Sequence, residues 1–311
     1  MSNILSPTPH NIQLCANAIK NGEVVAFCTE TVYGLGADAF SIDAVKKIFS
    51  LKGREEDNPL IVHISDISQV HELAREVPDR ALKLMQKLMP GPISIVLKKS
   101  KKVPGIVTAG LDTVAIRMPR NASALELIKH SGIPIAAPSA NISGTPSPTI
   151  AQHVENDFKN KLQFVLDGGQ CEIGIESSVI DLSGSMPRIL REGKVTKEEI
   201  EAVLGEKVEV LTNSNKPLSP GMKYKHYAPK AQVIFIEHGG YPILPVGLRG
   251  KKVKIISMKN CISTDEYAKN LFLNFRKADD EGYEVIVCEL ARDAGIGRAI
   301  NNRIRKASSK M

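Results

Sequence analysis

A chain of 311 residues, 42% hydrophobic and 24% charged, is long enough for two cored domains and too apolar to be disordered. No apolar run approaches the ~18–20 residues that cross a bilayer as a helix, so that class is excluded. The net charge of +7 is uneven: residues 1–211 carry −2, residues 212–230 carry +4 and residues 231–311 carry +5. A basic last third invites a nucleic-acid reading. Aromatics are only 5% with no Trp, so base-stacking platforms are sparse, and a solvated lysine-rich surface explains the charge more simply. Cys15, Cys28, Cys171, Cys261 and Cys288 are odd in number and scattered, with no CxxC. That argues against a disulfide framework or a structural zinc site and for a reducing cytoplasm. The opening MSNILSPTPH is expected not to be a signal peptide, lacking a basic leader and an apolar stretch.

In chain order, Thr8 and Pro9 open a helix whose Ile12, Cys15, Ala16 and Ile19 share a face before Gly22 ends it. A buried strand is expected at 23–28, then a helix capped by Ser41 with Ile42, Val45, Ile48 and Phe49 on its apolar face. Strand-like runs follow at 60–64, 93–97, 114–118, 133–137, 164–166 and 179–182. Helical patterns lie at 67–76, 79–89, 122–131 and 149–158, and Thr196 with Glu199 forms a capping box. This alternation predicts an α/β unit over residues 1–211, in which a mixed sheet is as plausible as a parallel one. Residues 212–230 (TNSNKPLSPGMKYKHYAPK) break the pattern. They read either as a flexible linker or, because of Met222, Tyr224, His226 and Tyr227, as a docked segment. From residue 231 to 311, strands at 231–236, 253–257 and 284–290 with helices at 264–281 and 297–307 predict a small, Rossmann-like parallel sheet. It has no GxGxxG after its first strand.

The chain carries no GxxxxGK[ST], HExxH or GxSxG. His63, His71, His130 and His153 are dispersed and read as lone histidines, not metal ligands. Polar residues instead cluster where apolar strands end, which is where α/β folds bind ligands. TETVYGLG (29–36) combines Thr29 and Thr31 with glycines suited to a tight turn or close backbone approach; an ordinary strand–loop turn is the plain alternative. KGREEDNPL (52–60) places Lys52 and Arg54 at a helix end, explained by the helix dipole or, more sharply, by phosphate binding. PSANISGTPSP (138–148) crowds Ser139, Asn141, Ser143, Thr145 and Ser147 into a loop shaped by prolines. Arg117 interrupts the apolar run after Thr113 and so needs an anionic partner. Glu176-Ser177-Ser178 precedes a strand, and Arg191 ends the segment ILR. Several cations and many hydroxyls without an evident nucleophile suit phosphate chemistry by positioning and charge neutralisation.

TETVYGLG, the KxR…NPL segment, the SAN loop and SPGMKYKHYAP, in this order, resemble the YrdC-type L-threonylcarbamoyladenylate synthases in their long two-domain form. The resemblance spans essentially the whole chain. It implies a YrdC-like twisted mixed-sheet catalytic domain, a linker acting as a lid, and a small Rossmann-like domain. The implied reaction makes L-threonylcarbamoyl-AMP and pyrophosphate from L-threonine, bicarbonate and ATP, with Mg²⁺ carried mainly on the ATP phosphates. The product would pass to a separate transferase complex that modifies tRNA. By the same resemblance, Lys52, Arg54, Ser139 and Asn141 hold the phosphates. Asn58, Thr113, Ser147, Arg191 and Tyr227 contact the nucleotide. Thr31, His63, Arg117, the backbone at Ala137, and Ser177 form the L-threonine pocket. A non-enzymatic basic RNA-binding module is the alternative, weakened by the −2 charge of residues 1–211. Weak tRNA contact is compatible with either.

Overall fold

The computed structural model describes residues 3–211, 226–240, 248 and 250–308. Residues 212–225 of the expected lid therefore lie outside the described residues. The first sheet is built from β1 (Ile4–Leu5), β2 (Val25–Phe27), β3 (Gly34–Asp38), β4 (Ile61–His63), β5 (Ile93–Lys98) and β6 (Thr113–Arg117). It continues with β7 (Ile135–Ala137), β8 (Phe164–Leu166), β9 (Ser178–Asp181), β10 (Arg188–Arg191) and β11 (Glu209–Val210). Their spatial order is β1-β8-β2-β3-β7-β4-β6-β5-β9-β10-β11. Pairing is mixed: β4 and β6 run parallel, whereas β5–β6 and β3–β7 are antiparallel. Around it lie α1 (Pro9–Lys20), α2 (Ile42–Lys52), α3 (Val70–Leu73), α4 (Asp79–Leu88), α5 (Ala122–Ser131), α6 (Ala151–Phe158) and α7 (Lys197–Leu204).

Side chains alternate across the strands and so decide where a cleft forms. One face presents Ala26, Leu35, Val62, Ile95, Ile116, Ala136 and Ile180 to the main core. That core is completed by Val45 and Ile48 of α2, Leu73 of α3, Leu84 of α4, Val154 of α6 and Ile200 of α7. The other face is covered only in part. Val25, Phe27, Ile135, Ala137 and Leu166 pack under α1 and α5. The neighbour of Ala137 is Ile61, which belongs to a separate small apolar floor with Val96, Ala115 and Val179. Where the cover of α1 and α5 ends, a cleft opens over that floor.

Two local readings of the sequence change. The segment after β2 is not a turn leading to a helix: Gly34–Asp38 is a strand antiparallel to β2. Its glycines serve close packing. A Cβ at Gly36 would lie 2.6 Å from Ile135 Cγ2 and 2.7 Å from the Phe27 ring. The pattern at 67–76 is not one helix. A 3₁₀ turn at Ile67–Gln69, with Asp66 and Gln69 forming a capping box, leads into α3, and Ala74 then bridges to Lys99 and ends the helix.

The second sheet comprises β12 (Gln232–Ile236), β13 (Val253–Ile256) and β14 (Val285–Glu289), all parallel, in the order β12-β14-β13. Helices α8 (Thr264–Asp280) and α9 (Ile296–Ser308) pack on it. Its core also takes in Val32, Ile173 and Ile175 of the first unit. Ion pairs cross the junction from Arg276 to Asp157 (2.7 Å), Arg298 to Glu192 (2.9 Å) and Arg303 to Glu176 (3.1 Å). No helix among the described residues is long and apolar enough to cross a membrane.

Candidate active site

The cleft is walled by the ends of β2, β4, β6, β7 and β9 and by the segment at His226–Tyr227. Of the residues expected from the sequence, Thr31, Arg54, His63, Arg117, Ala137, Ser139, Ser177, Arg191 and Tyr227 all line it.

The deep end is set by β4 and β6, whose parallel register puts His63 beside Arg117. Arg117 is 4% exposed, and its Nη2 lies 2.8 Å from Oε1 of Glu30, which is 2% exposed. The sequence demanded an anionic partner for Arg117; that partner is Glu30. The pair is close but not aligned as a hydrogen bond, and Nε and Nη2 of Arg117 have no hydrogen-bond partner among the described residues. A buried cation with spare donors is suited to a carboxylate. Burial and Arg117 push the His63 imidazole down to about 3, so it is neutral at pH 7. Thr31 is fixed by a 2.9 Å hydroxyl contact with Thr29, whose own hydroxyl donates to the Val32 carbonyl.

The 138–148 loop lies along β3: Leu35 N–H donates to Pro138 O and Ala140 N–H to Tyr33 O, both as short backbone bonds. Ser139 Oγ donates to Asn141 Oδ1 at 2.5 Å, and Asn141 Nδ2 donates to the Ile142 and Thr145 carbonyls. Lys52 sits behind this loop, and neither it nor the loop's Asn141 lines the cleft wall. Lys52 Nζ donates to Ser139 O (2.6 Å) and Asn141 O (2.5 Å). Burial, with Arg54 nearby, holds its pKa well below the usual lysine value. Arg54 reaches the wall and donates to the carbonyls of Asn58 and Pro59, both at 3.1 Å. Asn58 is buried off the wall, with Oδ1 lacking a partner among the described residues. Thr113 also lies off the wall, on the same face of β6 as Arg117.

The far wall holds Arg191, Ser177, Glu176 and Tyr227. Arg191 donates from Nε to Ser177 O (3.0 Å) and from Nη2 to Ser177 Oγ (3.1 Å). Ser147 does not face the cleft; its hydroxyl donates to Glu176 Oε1 at 2.6 Å. Burial alone would raise the Glu176 carboxyl, but Arg303, Arg191 and the Ser147 hydroxyl hold it below the usual glutamate value. Burial, with the negative charge of Glu176 nearby, pushes the Tyr227 phenol up to about 12. Burial, with Arg54 and Lys306, pushes His226 down to about 3.

The sequence reading gave Glu30, Glu176 and Arg303 no role. Glu30 and Glu176 stood inside segments already singled out, but their partners lie far along the chain. Arg303 had a signal of its own. It falls on the stripe Ile296, Ala299, Ile300, Ile304 and Ala307, where helical spacing calls for an apolar residue.

Family models match nearly the whole chain. One for the Sua5, YciO and YrdC proteins, described as "Telomere recombination", covers residues 17–193. One described as "Threonylcarbamoyl-AMP synthase, C-terminal domain" covers residues 195–309. The chain is 46% identical to the threonylcarbamoyl-AMP synthase of Pyrococcus abyssi, over 96% of this chain and 94% of that protein. It is 44% identical to the Bacillus subtilis enzyme of the same name, over 98% and 94%. The crystal structure of P. abyssi Sua5 complexed with L-threonine superposes with a TM-score of 0.91 at 42% identity, covering 99% of this chain and 98% of that one. YciO of E. coli, at 22% identity and a TM-score of 0.56, shares the fold over 62% of this chain and 96% of that one. This chain therefore belongs to the Sua5/YrdC family, in its long form with the C-terminal synthase domain.

Proposed function

We infer that the protein is a threonylcarbamoyl-AMP synthase, converting L-threonine, bicarbonate and ATP to L-threonylcarbamoyl-AMP and pyrophosphate. This is the first step towards N6-threonylcarbamoyladenosine in tRNA. The observation that carries the reading is a buried Arg117, ion-paired with Glu30 but with Nε unmet among the described residues, in a cleft that Arg54 and Ser139 also line. An amino-acid carboxylate pairs with Arg117, and the amine then points along the cleft. Thr31, neutral His63, Ser177 and the backbone at Ala137 frame the rest of the amino acid.

The amine and bicarbonate condense to a carbamate with loss of water. A carbamate oxygen attacks the α-phosphorus of ATP, the bond to the bridging oxygen breaks, and pyrophosphate leaves. Arg54 and Ser139 neutralise and orient the phosphates, and Lys52 with Asn141 fixes the loop that carries Ser139. Arg191 and Tyr227 face the nucleotide end and Ser147 supports it through Glu176, whereas Asn58 and Thr113 lie off the cleft wall and would act from behind it. No covalent enzyme intermediate is required, and the rate gain comes from proximity and preorganised charge. The Glu176 carboxylate is taken up by Arg303 and the Ser147 hydroxyl, and Glu30 lies in an ion pair with Arg117. Mg²⁺, when bound, would be carried mainly on the triphosphate and would offset the charge of the leaving pyrophosphate.

Residues 1–211 form the catalytic unit, 212–230 a lid that keeps water from the mixed anhydride, and 231–311 the small unit. The product passes in the cytoplasm to a transferase complex acting on tRNA. The test is pyrophosphate release by the purified chain, with threonine and bicarbonate omitted in turn and the product identified by mass. Release that needs both is expected; release indifferent to threonine overturns the reading.

A further inference from the structure

Arg303 is fully buried in the last helix of the chain. A guanidinium in a core position is costly unless its donors are met. Nε donates to Glu176 Oε2 at 3.1 Å and Nη1 to Glu192 O at 2.7 Å. Nη2 is buried without a partner among the described residues. The guanidinium also lies 5.7 Å from the centre of the Tyr227 ring. Tyr227 is held on its ring by Phe272 of α8, stacked at 5.2 Å, and its backbone is left-handed, with φ of 65°. Of the three groups that Arg303 meets, Glu176 and Tyr227 face the cleft, whereas Glu192 and Arg303 itself do not. The other oxygen of Glu176 takes the Ser147 hydroxyl. One side chain of the small unit thus meets two residues, Glu176 and Tyr227, at one end of the cleft. Arg303 contacts none of Thr31, His63, Arg117 and Ser177, although Ser177 directly follows its partner Glu176 in the chain.

We propose that Arg303 is a positioning residue for the nucleotide end of the cleft, so that the small unit completes the ATP site through the Arg303–Glu176–Tyr227 cluster. The proposal rests on the synthase reading for which end takes ATP. It gives the small unit a part in substrate binding beyond stability.

The test is calorimetric titration of the full-length chain with Mg²⁺–ATP and, separately, with L-threonine. Arg303→Met is expected to weaken ATP binding about tenfold or more while threonine binding stays within about twofold. Arg298→Met is the control. It breaks another ion pair between the same helix and Glu192 and Glu198, without touching Glu176 or Tyr227. It should leave both affinities at wild-type values. Equal weakening of both ligands in Arg303→Met, unchanged ATP binding, or the same ATP loss in Arg298→Met overturns the proposal.

Should Arg303→Met not fold, Arg303→Lys keeps the buried charge but cannot reach Glu176 and the Glu192 carbonyl with one forked group. It is then expected to weaken ATP selectively by about threefold or more. Wild-type ATP affinity in that variant overturns the proposal. Pyrophosphate release by the wild-type chain reports on the synthase reading separately, so the two fail in different measurements.

Discussion

Lys52 turns its charge inward, onto two carbonyls of the loop that carries Ser139. Replacing it by Met keeps the bulk and removes both hydrogen bonds, leaving buried acceptors unpaired. The loop then loses the geometry that sets Ser139 against the phosphates. Pyrophosphate release by Lys52→Met should fall roughly 100-fold, the scale expected for about 1 Å of misplacement. Activity within a few-fold of wild type would show that Lys52 does not govern the loop. Residues of this kind differ in how far the sequence reveals them. Arg117 stood out as a charge inside an apolar strand, and that break in pattern is a local signal. Its partner Glu30 sits on another strand end, so only the folded register joins them. Ser147 was legible as a polar loop residue, but its direction, away from the cleft and onto Glu176, is set by the helix that delivers Arg303.

Strand β3 shows why some elements escape a reading of periodicity. Its sequence GLGAD has two glycines, the residues least suited to a strand by propensity. Gly36 is required because the Phe27 ring of β2 and Ile135 of β7 fill the space where a side chain would stand, and at Gly34 a Cβ would crowd the same ring at 3.1 Å. Gly36→Ala should therefore destabilise the protein by about 1–3 kcal/mol through overpacking. Gly105→Ala, where a Cβ meets nothing within 4 Å, should change stability little. Urea unfolding midpoints compare the two, and equal midpoints would count against the packing account. The long amphipathic helices and apolar strands were legible for the opposite reason: α5 and β8 fall on their expected spans because local pattern and burial agree. Short pairs such as β1 and β11 carry too few residues to show a period.

At the scale of the molecule, the succession of a large mixed sheet and a small parallel one was readable from the strand and helix pattern, but their interlocking was not. Tyr227, Val32, Ile173 and Ile175 join the core of the small unit, and Arg276 and Arg303 reach back into the first. Burial in this packing keeps three imidazoles neutral. His63, His153 and His226 are each pushed from an ordinary 6.5 down to about 3 by burial and by neighbouring cations. An unfolded chain takes up protons at these sites near pH 6.5, while the folded chain does not until about pH 3. Stability is therefore complete above about pH 6.5 and falls as the pH is lowered from there towards 3. His153 offers the clean test because it lies outside the cleft, where its Nδ1 accepts from Thr149 N–H at 3.3 Å. Between pH 7.5 and 5.0 the wild-type chain should lose about 1–2 kcal/mol more than His153→Gln, one imidazole's share of the linkage. Carboxylates held low by arginines contribute equally to both chains and cancel in the difference. Urea unfolding of each at the two pH values gives that difference directly. Equal losses would mean that His153 is not held neutral by the fold.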